Sequence, residues 1–308
     1  MDLKPYLVKS SRSLKGSSIN NYVRNIKTLH GGEPFEDLNW LTDTAAILEK
    51  IKGYSQTTQR NMLTSAIVVL KAVDEEQFKE TLQAYKERLL LLNGAINKSY
   101  SEKKKTSKEK SNWLKLDELK AIQGQYAQRV KNRNIAEKTE LNAKDTKLLQ
   151  FFMISSLYTL HRPVRLDYAG MKVVHSRKGL GKDVNYLVVV GPRRKYFVFQ
   201  NFKNVKKIGP QEITVNKELN RVINLYLKFN PTDDFLLNSR GFAMTSNALS
   251  KVMSHVFKKG NRSASLNMIR KAWVSDMVDV EQAEKEKQLA QDMLHSTATQ
   301  KGVYLKED

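Results

Sequence analysis

Apolar positions recur at helical spacing along most of the chain and give way, in one short interval, to dense β-branched and aromatic runs. Ile19, Tyr22, Val23 and Ile26 share one face, with Ser17 or Ser18 able to cap the start and His30-Gly31-Gly32-Glu33-Pro34 to stop it. The same spacing predicts helices over 41–51, from Thr57 or Thr58 through Met62, Ala66, Val69 and Leu70, and over 75–92 before Asn93-Gly94. It resumes over 114–130 and 145–160. Residues 185–191 and 195–200 then read as strands around the turn-forming Gly191-Pro192, with a third short strand at 211–215. Helices return at 217–229, 245–257, 265–280, 281–294 and 297–305. The pattern predicts a mainly α protein with a small antiparallel β-sheet inserted in its second half.

Residues 96–112 break the periodicity. They are polar and basic, so they read as a linker between a helical domain (1–95) and a larger α+β domain (113–308). Lys103, Lys104 and Lys105 there suit either a solvated connector or a strap on a phosphate backbone.

Charge narrows the choice of partner. The 308 residues hold 53 Lys+Arg against 32 Asp+Glu, a formal net charge of +21. Nucleic acid is the commonest polyanion that exploits such an excess, because each neutralised phosphate releases counterions. An anionic membrane surface competes, but no run of 18 apolar residues is present to span a bilayer. The start, Met1-Asp-Leu-Lys-Pro5, lacks the apolar stretch of a signal peptide, so a cytoplasmic or nuclear rather than secreted protein is expected. With no cysteine and five scattered histidines, neither disulfides nor a thiolate or histidine metal site is expected, and no cofactor is implied.

Candidate chemistry concentrates after residue 160. Arg165 follows an apolar helix in His161-Arg-Pro-Val-Arg-Leu-Asp-Tyr-Ala-Gly170. Lys203, Lys206 and Lys207 lie between the second and third strands, with Lys203 nearest the preceding one. Arg270 sits in Asn267-Met-Ile-Arg270, and His295 precedes Tyr304 by nine positions. On one unbroken helix nine residues turn about 900°, so His295 and Tyr304 converge only if the chain bends between them; Ser296 and Thr297 can open a new helix there.

Arg…Lys…Arg…His…Tyr in this order resembles the catalytic set of the tyrosine recombinases, the phage-integrase-like family. The resemblance runs from about residue 17 to the end, with specific motifs only in 160–304. It implies a helical core-binding domain that clamps double-stranded DNA, followed by an α+β catalytic domain, assembled on DNA as a dimer to tetramer. It also implies Tyr304 as nucleophile, Arg165, Arg270 and His295 as phosphate ligands, and Lys203 as general acid. Arg193, Arg194, Lys206 and Lys207, with Lys103–Lys105, are the expected phosphate-backbone contacts. Arg162 rivals Arg165. Two departures stand out: the family's His-x-x-Arg is Asn267-x-x-Arg270 here, and the acidic residue often found three after the first arginine is Tyr168, with Asp167 beside it. A type IB topoisomerase shares this chemistry, and a catalytically silent DNA-binding protein shares the fold.

Overall fold

The structure, a computed structural model, describes residues 1–10, 14–294, 296, 297, 300 and 301. The chain is mainly helical, 58% of it, and falls into two compact units, Met1–Lys105 and Thr106–Asp308.

Among its described residues the regular elements of the first unit are all helical: α1 (Lys4–Lys9), α2 (Gly16–Leu29), a 3-10 turn (Asn39–Thr42), α3 (Thr44–Ile51), α4 (Gln56–Val73) and α5 (Lys79–Ser101). Local chemistry sets the boundaries. Asp43 caps α3 through the Ala46 amide, which splits the expected 41–51 helix, and Ser55 caps α4 through Thr58. A core of Leu7, Ile26, Leu41, Leu63, Leu70 and Tyr85 fills the unit, with the Tyr85 hydroxyl donating to the Leu41 carbonyl at 2.7 Å. Helix α5 does not stop at Asn93-Gly94. Leu92 and Ile96, four apart on one face, are both buried and carry it to Ser101.

The second unit opens with α6 (Ser107–Asn112), held by a reciprocal capping box between Thr106 and Glu109. The expected linker 96–112 is therefore helical at both ends, with Glu102–Thr106 between. Next come α7 (Leu116–Asn132), α8 (Ala143–Thr159), β1 (Lys172–Val174), β2 (Tyr186–Gly191), β3 (Arg194–Phe199), α9 (Val205–Ile208), β4 (Gln211–Thr214), α10 (Lys217–Lys228), α11 (Ser246–Val256), β5 (Lys258–Lys259), β6 (Arg262–Ser263), α12 (Leu266–Met277) and α13 (Val280–Asp292). The main sheet runs β1-β2-β3-β4, and β5-β6 form a separate ribbon.

One expectation needs correcting. The sheet is mixed: β2, β3 and β4 are antiparallel, but β1 pairs with β2 in parallel. A three-residue edge strand is too short to announce itself by alternation. Helix α8 is buried on nearly every side, with Leu149, Met153, Ile154 and Leu157 inside the core. At its end, the Asn216 side chain both caps α10 through the Leu219 amide and donates to the Leu160 carbonyl at 2.6 Å. That joint fixes where the chain leaves α8, immediately before the candidate residues. Among the described residues no helix is long and apolar enough to cross a membrane.

Candidate active site

Pro163 prevents α8 from continuing, so the chain turns outward through residues 161–170. Arg165 lies half-buried in this segment, which is a series of turns. Two contacts hold it. The fully buried Tyr158 phenol donates to the Arg165 carbonyl at 2.9 Å, and the Arg165 amide donates to the Asp167 carboxylate at 3.2 Å.

Arg270 is half-buried in the second turn of α12, and its helix is tied to the same place. The Trp273 indole donates at 2.9 Å to the Tyr158 carbonyl, one of the orphan carbonyls in the last turn of α8. Thus α12, the end of α8 and the Arg165 turn are joined through one tyrosine.

Asp167 is the electrostatic centre of the arrangement. Burial raises its pKa above the ordinary carboxylate value; the Arg165 amide and then the charges of Arg165 and Arg270 oppose that rise. Both arginines, 105 positions apart in the chain, therefore act on one partly desolvated carboxylate. Tyr168, at the position where the family often has an acid, turns the other way. It is fully buried and packs edge-on against Tyr158 and Phe197, at 5.6 and 5.1 Å between ring centroids. The carboxylate left in the Arg165 turn is the half-buried Asp167.

Lys203 is exposed in the turn that leaves β3, and Lys206 and Lys207 are exposed on α9, within the same β3–β4 connection. That connection joins antiparallel strands, with Phe199 opposite Gln211. Its base is bound to the Arg165 turn by Asn185, which is 6% exposed. The Asn185 amide nitrogen donates to the carbonyls of Asp167 and Asn201, at 2.9 and 3.0 Å, and its oxygen accepts from the Gln200 and Asn201 amides, at 2.9 and 2.8 Å.

The other expected residues are scattered. Arg193 and Arg194 are exposed at the β2–β3 turn. That turn is clamped by Lys195, 1% exposed, whose ammonium donates to Asn220, Asn224 and the Pro192 carbonyl, and whose pKa burial lowers. Lys103, Lys104 and Lys105 are exposed at the end of the first unit. Arg162, the rival of Arg165, is exposed and lines a cavity of about 680 Å³ with His161, Thr214 and Trp273. Asn267 is exposed one helical turn before Arg270. His295 and Tyr304 lie outside the described residues. An apolar cavity of about 710 Å³, bordered by Leu149, Phe151, Tyr226 and Met244, contains none of the candidates.

In the sequence Asp167 is marked only as a neighbour of the motif position. Asn185, Tyr158 and Trp273 carry no such mark, since a strand-edge asparagine and two aromatics on apolar faces look like ordinary structure in the sequence.

Compared by sequence, the chain matches no protein-family profile and no curated protein. Compared by structure, it is similar to XerA recombinase at a TM-score of 0.35 and 12% identity, over 91% of this chain and 85% of that one. The relation is distant.

Proposed function

We propose that this chain is a tyrosine recombinase, which cuts and rejoins double-stranded DNA through a 3′-phosphotyrosyl intermediate. The observation that carries the reading is the joint at Tyr158, which ties the Arg165 turn and, through Trp273, the helix of Arg270 to the end of α8, with a lysine-rich hairpin bound to the same turn through Asn185. Two guanidiniums braced in this way form a receptor for a phosphodiester, whose charge grows in the transition state. Tyr304 attacks phosphorus as its own proton passes to solvent water. The bond to the 5′-oxygen breaks, and Lys203 gives that oxygen a proton. The phosphotyrosine conserves the bond energy, so a 5′-hydroxyl from a second duplex reverses the step without ATP. Arg193, Arg194, Lys206, Lys207 and Lys103–Lys105 contact the phosphate backbone, and protomers assemble on DNA as a dimer to tetramer.

A second reading is supported by Asn267, since an asparagine cannot carry charge or move a proton where the family pattern has histidine. On that reading the chain is a silent DNA-binding protein.

The test uses a duplex nicked close to the cut site, so that release of a short product traps the covalent complex. The wild-type chain is expected to form an adduct in EDTA, and Tyr304→Phe to bind the duplex but form none. Adduct from Tyr304→Phe would overturn the nucleophile. A wild-type chain that binds but never links would favour the silent module, and a requirement for magnesium would favour a metal-dependent nuclease. Recombination between two sites, rather than relaxation of supercoils, separates a recombinase from a type IB topoisomerase.

A further inference from the structure

Asn185 is unusual among the polar residues of the second unit. Its side-chain amide has two donor and two acceptor positions, and all four are used, every one on backbone. The bonds run to two different segments. One goes to Asp167, within the turn that carries Arg165; three go to Gln200 and Asn201, at the base of the turn that carries Lys203. The Asn185 backbone carbonyl also accepts from the Lys172 amide at 2.9 Å, which brings β1 into register beside β2.

These two segments are not equally firm. The Arg165 turn is backed by the buried Tyr158 and Tyr168. The Lys203 turn is exposed from Lys203 to Asn204, and its backbone leaves the sheet after Phe199. Apart from Asn185, its base is held to other segments by an Asn201 side-chain bond to the Asp183 carbonyl at 2.5 Å and by the half-buried Phe202 against the core, while the Val205, Lys207 and Ile208 amides bond back only within the connection, to Phe202 and Asn204. Without the Asn185 bridge it is the Lys203 turn that would move.

We propose that Asn185 is a positioning residue for the cleavage step: it sets the reach of Lys203 relative to the phosphate held at Arg165 and Arg270. The inference rests on the recombinase reading. Asn185 touches no reacting atom and acts through Lys203. A displacement of about 1 Å in a group that must meet a reacting atom can cost on the order of 10²-fold. Loss of a general acid costs about 10²–10⁴-fold.

A merely structural residue would slow every substrate alike, so the test varies the leaving group. In one nicked duplex the 5′-bridging atom at the cut site is oxygen; in the other it is sulfur. A thiolate departs without a proton, because thiols have a pKa near 8.5, far below that of an alcohol. Single-turnover adduct formation is measured for wild type, Asn185→Ala, Lys203→Ala and the double variant, alongside thermal unfolding of each. Asn185→Ala is expected to be slower by about 10–10²-fold on oxygen and within a few-fold of wild type on sulfur. The double variant should be no slower than Lys203→Ala, since two residues acting on one step are not additive. Should Asn185→Ala fail to fold, Asn185→Asp keeps the two bonds accepted from the Gln200 and Asn201 amides and loses both donated bonds, to the carbonyls of Asp167 and Asn201; the same pattern is expected of it.

Equal losses on the two substrates, additive losses in the double variant, or no loss at all would overturn the positioning role while leaving the recombinase reading intact. A Lys203→Ala variant that cleaves oxygen normally would place the acid elsewhere and would also overturn it. A wild-type chain inert on both substrates overturns the recombinase reading itself.

Discussion

Tyr158→Phe removes a single oxygen from the joint between α8, α12 and the Arg165 turn. The phenol is fully buried and donates at 2.9 Å to the Arg165 carbonyl, so the variant loses one bond and leaves a half-buried carbonyl without it. A net bond contributes about 1 kcal/mol, and an orphaned buried acceptor costs about 1–3 kcal/mol, reduced here because the acceptor is only half-buried. The expected loss is about 1–2 kcal/mol, which for a unit of this size lowers its unfolding midpoint by roughly 3–6 °C. Phe keeps the ring, so packing against Tyr168 at 5.6 Å is preserved and no cavity forms. Cleavage should fall further than stability implies. Below the unfolding transition nearly all molecules are folded, yet the Arg165 turn has lost a support, and a loss of about 10-fold is expected. The matched control is Tyr85→Phe. It breaks the same kind of bond, 2.7 Å to the Leu41 carbonyl, inside the first unit. Calorimetry should record a similar loss of stability for that unit, with single-turnover cleavage at saturating DNA unchanged. If Tyr158→Phe unfolds at the wild-type temperature, or if both variants lose cleavage equally, the support of Arg165 by Tyr158 is refuted.

Three further outcomes are expected. DNA affinity should fall steeply with salt, log K against log salt having a slope of about −0.9 per phosphate contact and several units in total; a flat response in a binding titration would argue against DNA as the partner. Glu118 is held down to about 2 by hydrogen bonds from Arg262 and then Lys259, at 2.7 and 2.9 Å, with the Lys115 amide third. Because its folded pKa is depressed, its contribution is fully present above the ordinary value of 4.5 and is lost as pH falls toward 2. Glu118→Gln should therefore destabilise the second unit by about 1–2 kcal/mol at neutral pH, after allowance for solvent screening, and flatten urea-melt stability across that acid window. Asn267→His should be tolerated at its exposed position and speed cleavage if proton movement limits the rate; a large fall in rate at unchanged DNA affinity would show that the asparagine itself is required.

Most of the longer helices and three of the strands are legible in the sequence because their causes are local, whereas the short α1, α6 and α9 are not. Apolar spacing sets the buried face of α4 and α10, and Pro163 keeps α8 from continuing, although α4 is capped by Ser55 rather than opening at Thr57 or Thr58. The candidate arginines were legible for another reason: order along a chain survives folding. What needed tertiary structure was anything set by residues distant in sequence. Helix α5 runs past Asn93-Gly94 because burial of Leu92 and Ile96 outweighs a weak stop signal. Strand β1 exists only beside β2. The choice between Asp167 and Tyr168 as the partner of the arginines turned on direction. The one that met Phe197 and Tyr158 went into the core, leaving the half-buried Asp167 carboxylate to accept from the Arg165 amide and to feel the charges of Arg165 and Arg270. Likewise Asn185 is an unremarked asparagine in the chain and a four-bond bridge in the fold, because its acceptors and donors come from segments that only the sheet brings together. Spacing along the chain could name the groups able to do the chemistry; hydrogen bonds between remote segments decided which of them meet.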